Sequence, residues 1–208
     1  MCKDCADKLE EDYNYEQARE FYEQAAELYE TENQLSQSNQ MLAKWCDLTI
    51  LIEDFAQIAK VIRTYDKIGK KYLQQALVKS SARDFFFKAS LCFLVNDDLQ
   101  GAKNAIENYT YEDPAFETSR QCEFLKGIVE AIEQQAPEQL NKVVRDNARI
   151  MNLDKANSKL LVEIKKKHVP DQEPVDLGAG GQPMPQTIGQ LDLVNGGDNA
   201  IPSNQTPS

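Results

Sequence analysis

A pattern of large and small apolar residues recurs three times in the chain and constrains its fold more than any other feature. The copies are Tyr15-x-x-Ala18-x-x-x-Tyr22-x-x-Ala25, Phe55-x-x-Ile58-x-x-x-Ile62-x-x-Tyr65 and Leu99-x-x-Ala102-x-x-x-Ile106-x-x-Tyr109, and they start 40 and 44 residues apart. Such spacing gives one buried face on an α-helix. Recurrence near 40 residues is typical of stacked helix hairpins of the tetratricopeptide kind. An irregular helical bundle is the alternative that periodicity alone leaves open.

Helical periodicity covers residues 1–167 almost throughout. Helices are predicted over 2–10, 14–30, 34–51, 54–70, 72–78, 81–95, 98–109, 115–134, 137–150 and 154–167. Pro114 and Pro137 each fall in a first helical turn, where proline is tolerated. The apolar residues of LLVEI (160–164) are expected to dock on the preceding hairpin, as solenoid caps do. The predicted fold is all-α, a right-handed solenoid of tetratricopeptide-like helix hairpins with a C-terminal helical cap.

The composition changes at His168 and divides the chain into two segments. Residues 168–208 hold six of the eight prolines, six of the nine glycines, five acidic residues and no Lys or Arg. A stretch with so little apolar surface cannot offset the entropy of ordering it. We therefore expect a folded domain over 1–167 and a disordered acidic tail over 168–208.

The net charge and the cysteine content indicate which class of partner and which cellular compartment to expect. The net charge of −11 argues against nucleic acid, because phosphate binding needs a clustered basic surface. No apolar run is long enough to span a bilayer, and the first five residues lack the apolar segment of a signal peptide. Five cysteines, three of them inside apolar helical patterns, indicate reduced thiols. These features predict a cytoplasmic protein.

Catalytic and metal signatures are missing from the sequence. The only histidine, His168, lies at the edge of the tail, so no nucleophile–histidine pair can form inside the folded part. Cys2-x-x-Cys5 has metal-like spacing but lacks a second pair of ligands. Glu130 and Glu133 share a helix face, which more often indicates solvated charge than a carboxylate pair. We expect neither enzymatic activity nor a cofactor.

Four ordered blocks resemble the soluble NSF attachment proteins, the alpha/beta-SNAP family. They are SARDFFFKASLC (81–92), DPAFETSRQC (113–122), VEAIEQQ (129–135) and LLVEIKK (160–166). The resemblance covers roughly residues 1–177 and corresponds to the family's C-terminal part. It implies an adaptor that binds the four-helix SNARE complex (syntaxin type) and recruits the hexameric ATPase NSF, which unwinds that complex. It also implies peripheral association with endomembranes through SNAREs.

The resemblance further implies where the two partners bind. Lys44, Arg83 and Arg120 match basic SNARE-contact positions, although Gln40 stands where members often carry another contact lysine. The acidic NSF-binding cluster falls on Asp97, Glu130 and Glu133, with a neutral Gln134 beside them.

The ending DQEPVDL (171–177) looks like the family's acidic C-terminus. That C-terminus has a penultimate leucine needed to stimulate ATP hydrolysis, and Leu177 stands in its place. The chain continues for 31 residues and contains a second Asp-Leu pair at Leu193, so which leucine acts is open.

Two other functions stay open at this stage. One is a generic tetratricopeptide-like scaffold that presents a groove to linear peptides. The other is an N-terminally truncated SNAP that binds NSF but grips SNAREs poorly. Binding to NSF and to an assembled SNARE complex distinguishes all three readings.

Overall fold

The computed structural model describes residues 2–169, and this part of the chain is almost entirely helical. Its ten α-helices are α1 (Cys2–Glu11), α2 (Tyr15–Thr31), α3 (Leu35–Leu51), α4 (Ile58–Leu73), α5 (Ala82–Val95), α6 (Leu99–Glu112), α7 (Pro114–Glu117), α8 (Arg120–Glu133), α9 (Pro137–Ala148) and α10 (Lys155–His168). Short 3-10 turns precede α4 and α5, at Phe55–Gln57 and Lys79–Ser81. No residue between 2 and 169 lies in a strand, which confirms the all-α prediction.

The three sequence repeats open α2, the turn leading into α4, and α6. All nine positions after the opening residues are buried: Ala18, Tyr22, Ala25, Ile58, Ile62, Tyr65, Ala102, Ile106 and Tyr109. The opening residues Tyr15, Phe55 and Leu99 are partly buried against the same core. The repeat therefore marks equivalent buried faces, as its periodicity predicted.

Successive helices pack as hairpins, and side-chain contacts also join every second helix. Glu10 of α1 pairs with Lys44 of α3, and Asp47 of α3 with Lys88 of α5. In the other layer, Glu23 of α2 pairs with Lys60 of α4, and Lys70 of α4 lies 3.6 Å from Glu112 of α6. Contacts between both first and second neighbours are what a solenoid of hairpins requires. The solenoid-like packing is thus confirmed.

Five helices end in the same turn, and none of the five uses glycine. The residue two positions beyond the last helical residue has a positive φ of 50–61°: Tyr13, Asn33, Glu53, Asp97 and Gln135. After α5, for example, the amide of Asp98 donates to the Phe93 carbonyl at 3.0 Å, and the amide of Asp97 donates to the Leu94 carbonyl at 3.1 Å. This pair of bonds is the Schellman motif, which usually places glycine at the left-handed position.

Two predicted helices were wrong. The predicted helix over 72–78 does not form, because α4 continues to Leu73 and residues 74–77 are exposed. A segment with no buried face gains little from packing as a helix. The predicted helix over 115–134 is split into α7 and α8 at Ser119. This residue is extended (φ −82°, ψ 152°), and its hydroxyl accepts from the Cys122 amide at 3.2 Å, which caps α8.

The last helix, α10, packs mainly against α3 and α5, with a smaller contact to α9. The prediction that 160–164 dock on the preceding hairpin was therefore wrong in its main partner. Leu160, Leu161 and Ile164 are buried, as expected of a cap. A helix with one apolar face docks where the largest complementary apolar surface lies, and sequence order does not dictate this.

The structure describes the predicted folded segment but only the first two residues of the predicted tail. Helix α10 extends to His168, and Val169 is 7% exposed and belongs to the core. The part of the expected tail from residue 170 onwards lies outside the described residues.

Candidate functional site

Three carboxylates of the expected NSF-binding cluster lie at one end of the helix array. Asp97 lies two residues beyond the end of α5, and Glu130 and Glu133 occupy the last turn of α8, which packs on α5. Lys103, near the start of α6, donates to Glu133 at 2.5 Å, so the end of α8 lies beside the α5–α6 turn that carries Asp97. We call Asp97, Glu130 and Glu133 the acidic edge.

The acidic edge combines exposed carboxylates with the negative ends of two helices. The side chains of Asp97 and Glu133 are 62% and 57% exposed, and Glu130 is also exposed. The C-termini of α5 and α8 carry partial negative charge from aligned peptide dipoles. Carboxylates placed there add to this field, which favours a cationic partner.

Two of the three carboxylates already have an ion pair. Lys167 of α10 donates to Asp97 Oδ2 at 2.6 Å, and Lys103 donates to Glu133 Oε1 at 2.5 Å. Among residues 2–169, the one side chain that donates to the Glu130 carboxylate is the Gln134 amide, at 3.0 Å. Within residues 2–169, Glu130 is therefore the carboxylate of this edge without a basic partner.

Arg83 and Arg120 lie at the opposite end of α5 and α8, in the first turn of each helix. Gln121 donates to Asp84 at 3.2 Å, which joins the two helix starts. Arg83 lies 3.3 Å from the carboxylate of Asp113, whose side chain is only 2% exposed. Arg120 is exposed and forms no ion pair within residues 2–169. Arg83 therefore neutralises a buried acid, whereas Arg120 is open to a partner.

Lys44 lies in the middle of α3. Its ammonium donates to both carboxylate oxygens of Glu10 in α1, at 2.9 and 3.0 Å. It also lines a groove whose walls include Gln40, Tyr72 and Phe85. The structure thus joins the helix starts that carry Arg83 and Arg120, and Lys44 lines a groove with Phe85, two residues from Arg83.

Helix α10 carries three lysines that contact equivalent positions on three helix ends. Lys155 lies 5.6 Å from the ring centre of Tyr13, Lys159 pairs with Glu53, and Lys167 pairs with Asp97. Tyr13, Glu53 and Asp97 are the left-handed residues that follow α1, α3 and α5. Lysines at helix C-termini complement the dipole. Sequence reasoning missed these contacts because they join residues 70 to 142 positions apart.

An ion cluster around the buried Lys88 anchors the start of α10. Lys88 of α5 lies 2.6 Å from Asp47 and 2.8 Å from Asp154, and Tyr65 donates to Asp47 at 2.6 Å. Asp154 also accepts from the amide of Asn157 and caps α10. Burial alone would lower the pKa of the Lys88 ammonium, but the two carboxylates outweigh it and raise that pKa. The cluster keeps Lys88 charged and fixes α10 on the α3–α5 layer.

The remaining sequence predictions concern the cysteines, a metal site, a membrane span and the terminal leucine. Cys46, Cys92 and Cys122 are buried, and Cys5 is exposed. Within residues 2–169 no group of three or more His, Cys, Asp and Glu side chains is arranged to hold a metal ion. None of the helices in that range combines the length and the apolar character needed to cross a bilayer. Leu177 and Leu193, the two candidates for the terminal leucine, lie outside the described residues.

Comparison with known proteins decides the family. The sequence profile of the family described as "Soluble NSF attachment protein, SNAP" matches residues 1–169. The chain belongs to the soluble NSF attachment protein family.

Individual relatives agree with this assignment. Bovine beta-soluble NSF attachment protein is 39% identical over 117 residues, which are 56% of this chain and 39% of the relative. Human alpha-soluble NSF attachment protein is 36% identical over 136 residues, or 65% of this chain and 45% of the relative. The vesicular-fusion protein SEC17 of Komagataella phaffii is 32% identical over 130 residues, or 62% and 43%. The chain thus spans less than half the length of these SNAP relatives.

Proposed function

We propose that this SNAP-family chain is an adaptor that binds SNARE complexes and recruits and stimulates the ATPase NSF. In this role it promotes SNARE disassembly in vesicle trafficking and membrane fusion. Membership of the SNAP family supports the proposal, and so do relatives named for NSF attachment and vesicular fusion. The chain acts as a binding protein and not as an enzyme, in the cytoplasm and peripherally on endomembranes through SNAREs.

The observation that carries the proposal is the acidic edge. Asp97 comes from the turn after α5 and Glu130 and Glu133 come from α8, yet all three lie at one end of the array, beside the C-termini of these two helices. A surface of this kind favours basic side chains, steers their approach and weakens with salt. We assign the NSF contact to this edge, and Leu177 to stimulation of the ATPase.

The SNARE contact is assigned to the opposite end of α5 and α8, with Lys44 as a further contact. Arg120 is the strongest candidate, because it is exposed and forms no ion pair within residues 2–169. Arg83 and Lys44 would have to share their charge with Asp113 and Glu10. A substitution of Arg83 therefore also leaves a buried carboxylate unpaired, and Arg120→Glu is the cleaner test of this surface.

Binding assays with purified components test the proposal. The chain is immobilised and incubated with an assembled SNARE complex, with NSF, or with both. The proposed adaptor retains the SNARE complex, and it retains NSF only when SNAREs are present. Retention of neither partner overturns the proposal and favours a generic peptide-binding scaffold. Retention of NSF with weak SNARE binding identifies a form that grips SNAREs poorly.

Arg120→Glu adds a test of the SNARE surface within the same assay. We expect weaker SNARE retention for this variant, most clearly at low ionic strength. Lys126→Glu, on an exposed position of the same helix, reverses the same charge and serves as the control. Equal retention by both variants would place the SNARE surface elsewhere.

A further inference from the structure

The acidic edge is partly neutralised by the chain's own lysines. Lys103 Nζ lies 2.5 Å from Glu133 Oε1, and the Lys103 side chain is only 28% exposed. Lys167 Nζ lies 2.6 Å from Asp97 Oδ2 and also donates to the Val95 carbonyl at 2.5 Å. A cationic partner that approaches this edge therefore meets two lysines that already occupy part of the site.

Both lysines are held in place by contacts beyond their carboxylate. Val95 is the last residue of α5, so its carbonyl is one of those that a helix end leaves without an intrahelical donor. Lys167 satisfies that carbonyl and faces the negative end of the α5 dipole. Lys103 is fixed by its half-buried stem on α6. The two ammonium groups are thus pre-positioned counter-ions.

Each lysine engages one oxygen of its carboxylate, and within residues 2–169 no side chain donates to the other. An ammonium is a point charge, whereas a guanidinium presents a planar fork that binds both carboxylate oxygens. An arginine from a partner can therefore replace the lysine with a better-matched pair. Glu130, which lacks a basic partner within residues 2–169, offers the first contact.

We propose that Lys103 and Lys167 limit how strongly the acidic edge binds a cationic partner, and that arginines of the partner displace them. The proposal rests on the proposed function only for naming NSF as the natural partner. Removing the charge of either lysine then raises the affinity of the acidic edge for the cationic partner. Most substitutions at an interface have the opposite effect and lower the affinity. Because exposed ion pairs are weak, the gain is about two- to five-fold for each lysine at low salt.

The experiment compares Lys103→Gln, Lys167→Gln and the double variant with the wild-type chain. Lys103→Arg keeps the charge and should not raise the affinity. Lys8→Gln makes the same change in net charge on an exposed position of α1, at the other end of the array, and corrects for long-range effects. Two probes are used: SNARE-bound chain titrated with NSF, and free chain titrated with a hexa-arginine peptide. Peptide binding is followed at the NMR amide signals of residues 130–135, so binding elsewhere on this acidic chain does not contribute.

The expected result is tighter binding of both probes by the glutamine variants, and no gain for Lys103→Arg or Lys8→Gln. Affinity for hexa-arginine that is unchanged, or that rises equally in Lys8→Gln, overturns the counter-ion proposal whether or not NSF binds. If the wild-type chain does not recruit NSF but the peptide responds as expected, the proposed function fails and the counter-ion role stands.

Discussion

The ammonium of Lys88 in α5 donates a hydrogen bond of 2.6 Å to the carboxylate of Asp47 in α3. Lys88 is 7% exposed, so this contact is among the few ion pairs of the array with a buried member. The same ammonium reaches Asp154, which caps α10. One buried charge thus holds together the layer on which α10 rests.

Lys88→Met is expected to lower the free energy of unfolding by about 2 kcal/mol. The loss is smaller than for a fully buried pair because Asp47 and Asp154, at 28% and 49% exposed, keep some hydration. Urea denaturation followed by circular dichroism measures it. Lys60→Met breaks the partly exposed pair with Glu23 and the contact of the ammonium with the Trp45 ring, 4.3 Å away, and should cost only about 1 kcal/mol. An equal loss of unfolding free energy in the two variants would show that burial of Lys88 does not strengthen its ion pairs.

Gly69→Ala is expected to destabilise the chain by about 2 kcal/mol, although alanine normally favours a helix. A Cβ at Gly69 would lie 2.6 Å from Cε1 of Phe86, and this ring is stacked 4.1 Å from that of Tyr109. Gly127→Ala is the control, because its nearest neighbour, Val143, is 3.1 Å away and only half-buried. Thermal unfolding should separate the two variants. A gain in stability from Gly69→Ala would contradict the close approach of α4 and α5.

Gln135→Gly is expected to stabilise the chain by about 1 kcal/mol. Gln135 has a φ of 50°, where a side chain on Cβ is strained and glycine is not. Asn33→Gly makes the matching change at another Schellman turn, and its gain should be smaller because asparagine tolerates this conformation better. Urea midpoints of the two variants provide the comparison. Loss of stability in Gln135→Gly would argue against the left-handed turn after α8.

Stability is expected to fall as the pH rises above about 9. Burial raises the pKa of the Cys46 and Cys92 thiols above their ordinary value of 9.0. The folded state therefore keeps protons that the unfolded state releases, so stability is complete below pH 9 and decreases above it. Two such thiols cost about 2 kcal/mol between pH 9 and 10.

Urea titrations of the wild-type chain and of Cys92→Ala at these pH values measure this slope. Removing one thiol should make the fall in stability less steep. A stability that stays constant or increases between pH 8 and 10 would contradict the buried, protonated state of the two thiols.

The fold was predictable from sequence where burial follows local spacing. Tyr22, Tyr65 and Tyr109 occupy the buried positions that the repeat assigned to them, because a helix presents every third or fourth residue to the same neighbour. The Schellman turns were not predictable in the same way, since none of the five contains glycine. The docking of α10 depends on a buried surface of α3 and α5 that no local pattern reveals.

The candidate site was predictable only in part. The resemblance implied Asp97, Glu130 and Glu133 as a partner-binding cluster, and these residues lie at one end of the array. It could not show that Lys103 and Lys167 pair with two of them, because these partners lie 30 and 70 residues away in sequence. Nor could it show that Arg83 pairs with a buried aspartate, since burial of Asp113 depends on tertiary packing.

The most direct test of the account is recruitment of NSF to SNARE-bound chain carrying Glu130→Lys and Glu133→Lys. The control carries Glu27→Lys and Glu30→Lys, which reverse two exposed carboxylates at the same spacing near the C-terminal end of α2. Both variants change the net charge equally, and both should retain SNARE binding. The account predicts at least about ten-fold weaker NSF recruitment for the α8 variant and little change for the α2 variant. Equal recruitment by the two variants would contradict the assignment of the acidic edge to the ATPase.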